Sequence, residues 1–305
     1  MEKAASVDQA ASQGSRTVVS PGAVGTTGAD RLPGSDIYRM DPAALAAARR
    51  RRRIRQIAWN SLPPLTFVAV LGIWAAVVPL FHIPSYLVPS PGSVFGRIIS
   101  DFPTLWTNAR LTVFEIIVGF ALSIVVAIPL GLLIALSPLA KQLVYPPVML
   151  LQLVPKIAVA PLFVVWLGFG NDAKILLTLL MSFFPLLLAS ISAFRILDDR
   201  LLYLTRSMGA SRWQTFRHLR FPAALPVIFA GLKTSATIAV TAALVAEFVA
   251  SNSGLGYLLL QGTTELDTTL IFAVLVVLTI VGIIINYLVE LAEWLLTPWQ
   301  RVKST

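Results

Sequence analysis

The segment Gly231-Leu232-Lys233-Thr234 comes nearest to a motif with chemistry of its own. A phosphate-binding loop needs a glycine directly before its lysine, so that backbone amides can close around the phosphate. Leu232 stands there instead, and no glycine heads the loop, so ATP hydrolysis is not expected of this chain. There are no cysteines, which excludes disulfides and thiolate metal sites. Imidazole is available only from His82 and His218, far apart in sequence. No metal site, no cofactor and no converging nucleophile–base set is therefore expected.

What remains are ionisable residues inside apolar stretches: Glu115, Lys156, Lys233 and Glu247. A charge at mid-bilayer costs about 2.5–3.5 kcal/mol on insertion scales, so each of these must meet water or a partner. Lys156 lies between Pro155 and Pro161, where a broken helix frees carbonyls. Glu247 precedes the glycine-containing Ser251-Asn252-Ser253-Gly254. Lys156, Gln152, Glu247 and Asn252 are the candidates for a polar pathway or gate. The competing expectation for the charged ones is snorkelling or an interhelical ion pair. Glu115 could pair with a neighbouring base, and Glu290 and Glu293 are expected at a membrane interface.

The elements that position these residues are membrane helices. Apolar residues make up 56% of the 305 and charged residues only 13%, against about 25% in soluble domains. Six apolar stretches, at about 62–81, 111–136, 143–167, 175–194, 223–249 and 269–296, are each long enough to span ~30 Å of hydrocarbon. Backbone polar groups cannot be left open to lipid, so the spans must be helices and the fold all-α and polytopic. Prolines 146, 147, 155 and 161 break the third.

Arginine and lysine set the orientation. They cluster at 49–55, at Lys141, from Arg195 to Arg220, and at Arg301 and Lys303. The alternate loops carry fewer, with Arg97 and Arg110 in one and Lys174 in another. Both termini are therefore expected in the cytoplasm, and the net charge of +9 is read as topology, not as nucleic-acid binding. Residues 1–40 are expected to be a disordered tail. Residues 41–60 read as a basic helix at the inner membrane surface, and 61–300 as the transmembrane domain.

Between the fourth and fifth spans lies a loop, 198–222, of the wrong composition for a connector. It runs Tyr203, then Arg206-Ser207-Met208-Gly209-Ala210-Ser211-Arg212-Trp213, then Phe216, Leu219 and Phe221-Pro222. Trp213, Phe216 and Leu219 recur at helical spacing, and Gly209 can turn the chain between two short helices.

At this point the chain resembles the permease subunits of ABC importers. Gly209, Leu219 and Phe221-Pro222 fall at the spacings of their signature loop, with Tyr203-Leu204-Thr205 where that loop has Glu-Ala-Ala. Ile83 to Pro91, Leu153 to Leu162, Trp166 to Gly170 and Ala246 to Leu258 resemble the nitrate, taurine and alkanesulfonate group. The resemblance implies a type I importer permease with about six transmembrane helices and a cytoplasmic coupling helix, in a bacterial inner membrane. It implies a second copy of the permease, two cytosolic ATPase subunits that bind ATP and Mg, an extracytoplasmic solute-binding protein, and surrounding lipid. The coupling residues would be Tyr203, Arg206 to Trp213 and Phe216. The solute would be small and anionic or polar. An ATP-independent secondary transporter is the alternative, although paired broken helices in both halves are not evident.

Overall fold

The computed structural model describes residues 65–299. The expected tail 1–40, the basic helix 41–60, Arg301 and Lys303 lie outside the described residues. The chain divides into Met1–Leu65 and Thr66–Thr305, and the helical bundle belongs to the second unit.

Four helices are long and apolar enough to cross a membrane. They are α3 (Phe102–Leu136), α7 (Asn171–Phe194), α10 (Phe221–Ala250) and α12 (Thr268–Leu296). A shorter apolar helix, α1 (Leu65–Leu80), precedes them. It leads to α2 (Pro91–Ser100), which starts with a Ser90 cap: the Ser93 amide donates to Ser90 Oγ at 3.1 Å.

The third expected span is not a single helix. α4 (Pro138–Leu143) and α5 (Tyr145–Leu153) lead to α6 (Lys156–Leu167), and the run turns by 95° at the break before Lys156. Pro155 is the cause. It lacks an amide hydrogen and pushes Val154 into extended geometry, with ψ at 128°.

α7 is the centre of the bundle, wedged between α3 and α10. Small residues let the three backbones close up. On α3, Gly119 meets Thr178 and Gly131 meets Ser190; the same number of residues separates each pair of contacts, so α3 and α7 run parallel. Gly231 of α10 is pressed against Ala189 of α7, with no room for a β-carbon. Ile116, Leu186, Leu187, Ala236 and Ala239 are fully buried in the resulting core. Apolar side chains on the outer faces, such as Val125, Val165 and Ile283, stay exposed, as helices that meet lipid require.

The parallel run of α3 and α7 gives the bundle two ends. α2 and α11 (Leu255–Thr264) lie at one. α8 (Asp199–Ser207), α9 (Arg212–Thr215) and a π-helical turn, Phe216–Arg220, lie at the other.

Candidate functional site

The loop after α7 is built from local capping rules. Asp198 caps α8 by accepting from the Arg200 amide at 2.9 Å. At the other end of α8, the Gly209 amide donates to the Arg206 carbonyl and the Ala210 amide to the Thr205 carbonyl, both at 3.0 Å. That pair of bonds is a Schellman cap, and it requires a left-handed residue, here Gly209 at φ 78°. Ser211 then opens α9 with a capping box. Its hydroxyl accepts from the Gln214 amide (3.2 Å), and its own amide donates to Gln214 Oε1 (2.8 Å). Residues 209–211 thus join two helices with every amide bonded.

Aromatic stacking seats this elbow on the spans. Trp213 stacks on Phe216 at 5.7 Å, and Phe216 lies 6.3 Å from Phe194 at the end of α7 and 6.0 Å from Phe221 at the start of α10. The Arg195 guanidinium ties the same end of α7 to the Ile134 carbonyl of α3 at 3.0 Å. Tyr203, Met208 and Trp213 are left 75%, 77% and 65% exposed. Arg206, Ser207, Ser211 and Arg212 are exposed as well, whereas Ala210 and Phe216 are half-buried.

The opposite end holds a buried polar cluster. Glu247, near the end of α10, is fully enclosed. One carboxylate oxygen takes the Thr112 hydroxyl of α3 at 2.6 Å, and the other takes the Gly256 amide at the first turn of α11. The Leu255 amide donates to Thr112 Oγ1 at 2.9 Å, and the Gly254 amide to Asn108 Oδ1 at 2.6 Å. The first amides of α11 are therefore met by side chains of α3 and α10, and the Glu247 carboxyl group sits at the positive end of the helix dipole. Gly254, at φ 106°, turns the chain into this seat, and a β-carbon there would overlap the carboxylate.

Beside it, Lys174 of α7 pairs with Glu115 of α3, the two side chains 3% and 0% exposed. Lys174 also donates to Ser251 Oγ at 3.1 Å, and Ser251 Oγ donates to the Ser253 carbonyl at 2.5 Å.

Two expectations from the sequence are corrected here. Lys174 is not a loop residue: α7 begins at Asn171, which carries Lys174 into the bundle. Glu247 does not face open space but is closed within the protomer. Lys233 meets the expectation of an interhelical ion pair, bonding Glu293 of α12 at 2.6 Å.

The remaining pathway candidates lie elsewhere. Lys156, at the α5–α6 break, is half-buried. Its ammonium donates to the Gln152 carbonyl at 3.0 Å and stands 4.7 Å over the Phe184 ring. No carboxylate pairs with it among the described residues. Gln152 Oε1 is buried without a hydrogen-bond partner. Asn252 is exposed in the turn between α10 and α11, so the structure does not bring these four residues to one place. Asn108, Thr112 and Lys174 were missed in the sequence. For Lys174 a signal existed, since Gly170-Asn171-Asp172 is a helix-start pattern one turn before it.

The same helical arrangement occurs in the inward-facing methionine ABC transporter MetNI. The TM-score is 0.56 at 20% identity, over 64% of this chain and 97% of that one. Fold and loop together define a membrane-spanning permease of the ABC importer class. The chain belongs to the binding-protein-dependent transport system inner membrane component family, whose model matches residues 127–302. It is 35% identical to the riboflavin transport system permease protein of Chloroflexus aurantiacus, over 82% of this chain and 94% of the relative. It is 33% identical to the formylaminopyrimidine transport permease protein of Halalkalibacterium halodurans, over 78% and 96%. Identity to the taurine transport system permease protein of Escherichia coli is 27%, over 77% and 88%.

Proposed function

We propose that this chain is the transmembrane subunit of an ATP-driven importer for a small anionic or polar solute, working as a homodimer. The observation that carries the reading is the α8–α9 elbow, a rigid, exposed surface on a family member that lacks a phosphate loop of its own. ATP and Mg are bound by two partner ATPase subunits. Tyr203, Met208 and Trp213 supply the contact, Gly209 and Ser211 set its angle, and Arg206, Ser207, Ala210, Arg212 and Phe216 complete it. Positive-inside charge supports a cytoplasmic position for this end and both termini, with α11 facing the solute-binding protein.

ATP closes the ATPases and draws the two elbows together. The bundles rock, the pathway opens outward, and solute enters from the binding protein; hydrolysis resets the inward-facing state. Lys156, with Gln152 beside it, is the group on this chain best suited to meet an anionic or π-rich solute in the pathway, because it carries a charge without a carboxylate partner among the described residues. Asn252 lies at the outer mouth. The relatives named for riboflavin, formylaminopyrimidine and taurine transport bracket the solute classes.

The test is co-purification of an ATPase with the wild-type chain and with Trp213→Asp, followed by uptake in proteoliposomes. Loss of ATPase and uptake in the variant, at unchanged membrane insertion, supports the reading. Equal ATPase recovery and uptake would remove the elbow from the mechanism.

A further inference from the structure

A cleft of about 410 Å³ lies between the end of α3 and the α8–α9 elbow. Leu202 and Arg206, one turn apart on α8, line it together with Arg212 and Arg220, while Leu136 and Phe216 add apolar wall. No acidic residue lines the cleft, and no carboxylate pairs with Arg206, Arg212 or Arg220 among the described residues. Three arginines lining one cavity with no carboxylate beside them favour an anion there. Their planar forks match the oxygens of a phosphate group.

The depth of the cleft narrows the choice of anion. Leu136 is the last residue of α3, so the cleft adjoins the end of a helix apolar enough to cross a membrane. A ligand there can rest a phosphate on the arginines and an acyl chain against Leu136 and Leu202. Basic pockets at this level, on the side facing an anionic leaflet, suit phospholipid headgroups. We propose that the cleft binds a phosphate group, and that an anionic phospholipid supplies it. The inference rests on the permease reading for its membrane depth; Arg206 and Arg212 are shared with the proposed ATPase contact, whereas Arg220 and Leu202 belong to the cleft alone.

The full-length chain, purified and delipidated in detergent, is titrated with phosphatidylglycerol, phosphatidylcholine and inorganic phosphate, and bound ligand is counted by native mass spectrometry. Phosphatidylglycerol should bind, and Arg220→Gln should weaken it about tenfold, the size of one lost charge-assisted bond. Arg220→Lys keeps the charge and should retain most of the affinity. Tyr203→Ala, outside the cleft lining, should bind the lipid as the wild type does, even where ATPase docking is weakened. Binding of inorganic phosphate that displaces the lipid would uphold the phosphate site and replace the lipid as its source. Equal binding of both lipids by wild type and Arg220→Gln overturns the proposal. So does a parallel loss of lipid in Tyr203→Ala, which would place the lipid on the outer face of the elbow instead of in the cleft.

Discussion

Thr112 and Glu247, 135 residues apart in sequence, meet at 2.6 Å, and the same Thr112 oxygen takes the Leu255 amide. One hydroxyl thus joins α3, α10 and α11. It donates to Glu247, with the Asn108 carbonyl a longer second acceptor at 3.2 Å, and accepts from Leu255 in a place that is fully buried.

Thr112→Val should leave the Leu255 amide and a Glu247 oxygen unpaired, each at a cost of about 1–3 kcal/mol, whereas Thr112→Ser keeps both bonds. Thermal unfolding of the purified protein should show a clear loss for valine and almost none for serine. Amide exchange across 254–256 should rise in the valine variant alone. Equal behaviour of the two variants would mean that the hydroxyl contributes nothing.

Glu247→Ala should cost more than Glu247→Gln, because glutamine can still accept the Gly256 amide. Binding-protein-stimulated ATP hydrolysis should fall more than basal hydrolysis, since α11 loses its seat while the ATPase contact is untouched. Normal stimulation in Glu247→Ala would separate α11 from the transport cycle.

Glu115 and Lys174 form a dry ion pair. Removing one partner strands a charge, at a cost of about 3–5 kcal/mol, while replacing both with apolar residues is far milder. Glu115→Leu and Lys174→Met should each lower the yield of folded protein sharply, and the double variant should recover much of it. Additive losses in this double-mutant cycle would show that the two side chains act independently.

Gly209→Ala should cost about 1–2 kcal/mol, because its φ of 78° is left-handed, even though nothing crowds the added carbon. Ser211→Ala should cost about 1 kcal/mol through the lost cap. Both should reduce ATPase-coupled uptake more than membrane insertion. A normal coupling ratio in both variants would show that the angle of the elbow is not critical.

Lys156→Met should reduce solute uptake with ATPase association unchanged, and Lys156→Arg should retain part of it. Uptake assays beside co-purification distinguish the two effects. Full uptake in Lys156→Met would leave the lysine a role confined to the break itself.

The sequence showed the helices, the break at Pro155 and the elbow because each is a local matter. Apolar run length, a missing amide hydrogen and a glycine all act within a few residues. The seat of α11 was hidden for the opposite reason. Asn108 and Thr112 lie more than 130 residues from Gly254 and Glu247, which they meet. A threonine in an apolar helix looks the same whether it faces lipid or a carboxylate. Lys174 misled because a lysine near a span end usually marks a loop. The parallel run of α3 and α7, which brings Glu115 opposite it, is a tertiary fact.

The elbow at 209–211 has a mechanical consequence. A floppy linker absorbs displacement, because its dihedrals relax before the far end moves. Here the amides of Gly209, Ala210 and Ser211 are all tied to neighbouring turns, and Phe216 is stacked against the ends of both α7 and α10. Under the proposed function, a push on Trp213 would find little slack to take up, and its stroke would reach two membrane helices at once.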